Sequence, residues 1–262
     1  MNKVLFLSLA LFCCGLQMQA QTMTENEIMA KLNEASVLDN AKKTAEALDA
    51  FLLIGKNMEQ QRTEVEHQIY VYCQTKACKC YETLNRYEEA YLLAKKLIAG
   101  NLTEKEKKDV GHLYAMNGYM YATSFMHGDN RQLVKARTIL EEIMPYADGK
   151  VKEYALPKIS ESWFFEGAEY QLSQQYDKAL TCYQNALKGY QKLGKTKDEI
   201  SVLRHIAEIK GTLYDVAGSE DAYKQALVLA KQIGKTDVQM EILKELWKLG
   251  NRIGNVQQAQ TY

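Results

Sequence analysis

The sequence predicts an all-α protein made of tandem helix pairs, and three observations carry that prediction. Composition is the first: 2 Pro and 15 Gly in 262 residues leave few of the turns an all-β chain needs. Ala, Leu, Lys, Glu and Gln fill the long segments between them and favour helix. Repetition is the second. Tyr183-Gln-Asn-Ala186-Leu187 recurs as Tyr223-Lys-Gln-Ala226-Leu227, and Leu193-Gly194-Lys195-Thr196 as Ile233-Gly234-Lys235-Thr236, each at an offset of 40 residues. A period of this length marks stacked supersecondary units. The third is a set of helix-start signals that falls on the same frame.

The first twenty residues stand apart. Lys3 supplies a positive start, Val4 to Leu16 is an almost unbroken apolar run of 13 residues, and Ala20 closes a short polar stretch. This pattern predicts a secretory signal peptide over residues 1–20, cleaved after Ala20, with the repeat domain spanning 21–262. The run falls short of the ~20 residues a membrane-spanning helix requires. Ala10-Leu11-Phe12 ahead of Cys13 and Cys14 lacks the small pair that a lipid-attachment cysteine needs.

Along the remainder, a small residue opens the second helix of each unit: Ala47, Ala90, Ala136, Ala179, Ser219 and Ala259, at spacings of 43, 46, 43, 40 and 40. Six units follow. Capping-box pairs start the first helices at Thr24 with Glu27, Thr63 with Glu66, Thr103 with Glu106, Thr196 with Glu199 and Thr236 with Gln239, each able to satisfy two orphan backbone donors. Asp148 is the capping candidate in the fourth unit. Polar breaks between the paired helices are expected at Leu38-Asp39-Asn40, Asn85-Arg86, Gly128-Asp129-Asn130, Ser173-Gln174-Gln175, Ala217-Gly218 and Gly254-Asn255. A second helix opening at Ala259 would need some fifteen residues, as from Ala179 to Gly194. The sixth unit is therefore expected to be incomplete at Tyr262, with a chain continuation or a partner covering that end.

Of the cysteines beyond the apolar run, Cys78 and Cys80 point to nearly opposite sides of one helix, and Cys73 lies two turns, about 10 Å, from Cys80. Neither pair suits a disulfide. Buried free thiols are expected, with a bridge from Cys182 to one of the others left open.

The fourth unit carries a family resemblance. Trp163, Gly167 and Tyr170 share one face of its first helix, and Tyr176, Ala179, Tyr183 and Ala186 follow at helical spacing in its second. This resembles the tetratricopeptide repeat over about residues 24–262, with units longer than the usual 34 residues and with Trp247 in place of the small residue of the last unit. The resemblance implies a right-handed α-solenoid of about six helix pairs, and a groove lined by their first helices. Residues at i and i+4 on that side are Thr75 and Lys79, Ala115 and Tyr119, Phe164 and Ala168, Arg204 and Glu208, and Lys244 and Lys248. The candidate groove residues are thus Lys79, Tyr119, Phe164, Arg204, Lys244 and Lys248, a surface suited to an extended peptide with an apolar anchor and acidic residues.

No catalytic, metal-binding or cofactor-binding motif appears. His67, His112, His127 and His205 are dispersed, and Gly194-Lys195-Thr196 lacks the earlier glycine and strand of a phosphate-binding loop. Lys plus Arg and Asp plus Glu number 33 each, which argues against a nucleic-acid or anionic-membrane partner. The expectation is a non-catalytic interaction module binding protein or peptide outside the cytoplasm, in the periplasm of a bacterium. An export signal ahead of long repeats also resembles the sensory region of bacterial membrane-bound histidine kinases or transcription regulators. A glycan-binding protein would instead need surface aromatics gathered by the fold. N-terminal sequencing of the exported protein should begin at Gln21; retention of Met1 would contradict the cleaved signal.

Overall fold

The computed structural model describes residues 23–60, 63–128 and 130–252. Among these the chain forms eleven α-helices and no strand. They are α1 Glu25–Asn40, α2 Thr44–Asn57, α3 Glu64–Thr83, α4 Tyr87–Ile98, α5 Glu104–Ser124, α6 Leu133–Ile143, α7 Gly149–Leu172, α8 Tyr176–Leu193, α9 Thr196–Thr212, α10 Val216–Gln232 and α11 Thr236–Arg252. Five helix pairs and the first helix of a sixth are thus in place. The expected start of the last helix at Ala259, and the signal peptide, lie outside the described residues. The chain divides into two compact units, residues 1–113 and 114–262, with the boundary inside α5.

Within four of the five pairs the helices close on small residues twelve positions apart. Ala35 with Ala47, Cys78 with Ala90, Gly167 with Ala179, and Ala207 with Ser219 are all buried. Two of these couples are in direct contact: Cys78 Sγ donates to the Ala90 carbonyl at 3.7 Å, and Ser219 Oγ donates to the Ala207 carbonyl at 2.8 Å. Small side chains let helix backbones approach, and large ones fill the space on either side. At Gly167 the fit leaves no room, since a Cβ there would lie 2.9 Å from the Tyr183 ring. The first unit's core gathers Ala47, Phe51, Ile54, Cys73 and Ala77. That of the second gathers Tyr183, Tyr190, Ile206, Tyr223 and Leu246, with Trp163 and Phe164 packed against it.

One turn recurs. At Lys42, Asn85, Gln174, Gly194, Tyr214 and Gly234 the backbone is left-handed, with φ between 57° and 66°. In each case the following N–H donates to a carbonyl five residues earlier, from Lys43 to Leu38, Arg86 to Tyr81, Gln175 to Tyr170, Lys195 to Tyr190, Asp215 to Lys210 and Lys235 to Ala230, at 2.8–3.0 Å. This is the Schellman closure, which satisfies carbonyls that a helix end would otherwise orphan. Four of the six positions are not glycine, and each pays a steric cost for its Cβ. The longer loop expected near Gly128 joins α5 to α6, where Gln132 N–H donates to the Phe125 carbonyl at 2.9 Å.

Three capping boxes form as expected, at Thr24 with Glu27, Thr63 with Glu66 and Thr103 with Glu106. Glu106 also meets His67 Nε2 at 3.2 Å. Burial pushes its carboxyl up, but the hydrogen bonds from Thr103 and His67 outweigh this and hold it below the ordinary carboxylate range. The boxes expected at Thr196 and Thr236 do not form. The left-handed glycine two residues earlier brings the next helix on at once, so Lys195 takes the N-cap place and Thr196 is already helical. Glu199 turns inward, where burial raises its pKa, and Gln239 Nε2 donates to the Ala230 carbonyl at 3.2 Å instead. Asp148 holds the N-cap position of α7 without a side-chain cap hydrogen bond.

Two breaks also move. The first lies at Ala41–Lys43 rather than Leu38–Asn40. The fifth lies at Leu213–Asp215, because Ala217 and Gly218 belong to the first turn of α10, where Gly218 N–H donates to Asp215 Oδ1 at 2.9 Å. Replacing Gly167 with Ala should lower stability by about 1–2 kcal/mol through overpacking against Tyr183, despite alanine's better helix propensity. Tyr214→Gly should raise it by about 0.5 kcal/mol by removing the strained Cβ. Denaturant unfolding of both variants checks the signs.

Candidate functional site

Lys79 lies in the first unit, exposed on α3, with Thr75 half-buried one turn before it. A neighbouring side chain on the same helix, Lys76, bridges to Asp39 of α1 at 2.6 Å. Bridges of this kind connect successive first helices again in the second unit. There Gln171 of α7 donates to Glu208 of α9 at 3.5 Å, and Arg204 of α9 pairs with Glu241 of α11 at 3.0 Å.

The other five candidate residues all lie in the second unit. Tyr119 of α5 is half-buried, and its ring centroid stands 6.4 Å from that of Tyr154 on α7, which is 51% exposed. Ala115, its expected companion, is fully buried and faces no groove. Phe164 packs inward: its ring lies 5.6 Å from Tyr183 and 5.3 Å from His205. Lys248 pairs with Glu245 at 2.7 Å on the surface of α11. Lys244 is exposed and, with Met240, Glu241, Leu243 and Trp247, lines a shallow cleft of about 540 Å³. Met240 and Trp247 are more than half exposed there.

Two groups escaped the sequence pattern. Tyr154 falls outside the repeat frame because α7 begins early, giving it 24 residues. Arg137 of α6 lies on a second helix, away from the predicted groove, yet it is 94% buried: it lies 3.4 Å over the Trp163 ring and 2.8 Å from Glu166. A cation over an aromatic face and against a carboxylate is well satisfied in a poorly hydrated site. The interleaving of a lone Arg with the signature Trp of the next unit was its only signal.

No family model matches the chain, and no curated protein matches its sequence. Among solved structures, BtubC from P. vanneervenii is similar at 11% identity over 83% of this chain and 87% of its own, with a TM-score of 0.38. A signal-transduction ATPase from Pyrococcus horikoshii with a tetratricopeptide repeat sensor is similar at 17% identity and a TM-score of 0.41. The similarity covers 93% of this chain and 40% of that one. The C-terminal part of a tetratricopeptide-repeat protein from Cytophaga hutchinsonii gives 13% identity, 87% and 91% coverage, and a TM-score of 0.35. At these scores the fold assignment rests on the helices and repeat frame of the chain itself.

Among the described residues no group of three or more His, Cys, Asp or Glu side chains is placed to hold a metal ion. No described helix is long and apolar enough to cross a membrane. The four described cysteines are free and buried. Burial pushes the Cys73 and Cys78 thiols up to about 12 and that of Cys182 to about 11, which leaves almost no thiolate at neutral pH. A thiol reagent such as Ellman's should therefore label protein lacking residues 1–20 negligibly at pH 8, and all four cysteines once guanidinium unfolds it.

Proposed function

We propose that the chain is an exported, non-catalytic module that binds a protein or peptide along the first helices of its pairs. The observation that carries this reading is the Tyr119 and Tyr154 couple on α5 and α7, two large amphipathic rings beside one another with Tyr154 half exposed. Exposed aromatics of this kind supply anchoring area at low entropic cost. The cations do less. Arg204 and Lys248 already engage Glu241 and Glu245, and Glu208 lies among them, so an acidic partner gains little net attraction and must displace existing pairs. The preferred partner is a segment with an aromatic or large aliphatic anchor and no strong charge. Support for work outside the cytoplasm comes from Lys3, the apolar run from Val4 and the closing Ala20.

Selection of a random peptide library against immobilised protein of residues 21–262 tests the proposal. Enriched peptides should share an apolar anchor. The double variant Tyr119→Ala, Tyr154→Ala should bind them about tenfold more weakly, roughly 1.4 kcal/mol. Lys244→Glu with Lys248→Glu should change affinity far less. Acidic peptides lost on lysine reversal would place the site on α11 instead, and failure to enrich any peptide would overturn the reading.

A further inference from the structure

Gln171, Tyr183, His205 and Glu208 form a network on α7, α8 and α9 in which the protons can be placed from the heavy atoms. The amide of Gln171 has a donor end and an acceptor end, and Glu208 decides between them. Its Oε2 lies 3.5 Å from Gln171 Nε2; the flipped amide would set a carbonyl against a carboxylate. Gln171 Oε1 therefore faces the other way. It accepts the Tyr183 hydroxyl at 2.7 Å and lies 3.2 Å from His205 Nδ1.

A carbonyl oxygen at that distance from a ring nitrogen requires a hydrogen between them. Glu208 Oε2, 3.6 Å from the same nitrogen, adds a second acceptor. A neutral imidazole has one N–H, and here it is committed to Nδ1. Nε2 is left as a lone pair, with no hydrogen-bond partner among the described residues. The ring is also held in place, stacked on Tyr183 at 5.2 Å with 19° between planes and edge-on to Phe164 at 5.3 Å. Its side chain is 33% exposed.

We infer that His205 presents a fixed, bare Nε2 as a hydrogen-bond acceptor for an N–H donor of the bound peptide. This rests on the peptide-binding reading and adds to it a polar contact on α9, against the Phe164 and Gln171 stretch of α7. The charged groups that act on the ring are Glu208 and Arg204 of α9, while Tyr183 of α8 and Gln171 and Phe164 of α7 face it uncharged. Glu241 of α11 acts through Arg204. Burial lowers the His205 pKa, Glu208 opposes that and Arg204 reinforces it, leaving it below the ordinary histidine value. The acceptor is therefore present at pH 7. Protonation converts Nε2 to a donor, so affinity for an N–H donor should fall as pH drops through the His205 pKa.

Nitrogen-15 NMR of histidine-labelled protein tests the network without any ligand. The signals lost in His205→Phe should show the Nδ1–H tautomer, and Glu208→Ala should let the two tautomers mix; an Nε2–H tautomer in the parent protein overturns the inference. With the selected peptides as probes, His205→Phe keeps the stacked ring and should bind about tenfold more weakly, whereas His205→Gln, which restores an acceptor near Nε2, should recover part of the loss. Equal binding by His205→Phe overturns the acceptor role while the peptide-binding reading stands. If no peptide is enriched, that reading fails, and the tautomer measurement still decides the network.

Discussion

Two helices can lie close only where both present little more than backbone, and in this chain that happens at small residues twelve positions apart. Cys78 with Ala90 and Ala207 with Ser219 meet closely enough for the side chain of one to donate to the carbonyl of the other. The remaining geometry follows from that approach. A short fixed separation between the contact points demands a short connection of fixed shape, which is why one left-handed residue recurs inside these four pairs, at Lys42, Asn85, Gln174 and Tyr214. Large side chains then find room on either side of the contact, where Tyr183 lies against Gly167. Because a single pair leaves an apolar face uncovered, stability comes from the next pair along, and Arg137 over Trp163 is one such joint.

Much of this was legible in the chain. The alanine frame was visible because few residues tolerate a backbone approach, so chemistry and spacing pointed the same way. Three capping boxes were visible because Thr and Glu at that spacing have little else to do at an exposed helix start. The failures share one cause. Gly194 and Gly234 read as turn residues in the sequence, but the turn they make ends one helix and begins the next within two residues, leaving Thr196 and Thr236 nothing to cap. Lys42, Asn85, Gln174 and Tyr214 adopt the same backbone without the residue that would announce it. Tertiary closure overrides the local preference there.

The groove was less legible for a physical reason. Helical spacing places residues on a side of a helix, but whether that side meets solvent depends on the neighbours. Phe164 and Tyr119 occupy similar places on their helices, yet Phe164 is drawn among Tyr183 and His205 while Tyr119 is left beside an exposed Tyr154. Charges behaved likewise. Arg204 and Lys248 are cations in the sequence and halves of ion pairs in the fold, so formal charge overstated the field they offer.

Bridges run from one first helix to the next: Asp39 to Lys76 and Arg204 to Glu241 each reach 37 residues along the chain, and His67 to Glu106 reaches 39. Each ties a helix pair to its immediate successor. Within each unit, such nearest-neighbour ties answer a pulling force one pair at a time. Tension along the chain can release one pair and lengthen the protein by that amount while the next pair remains folded. Extensibility in steps of about forty residues is thus built into the same spacing that makes the repeat visible.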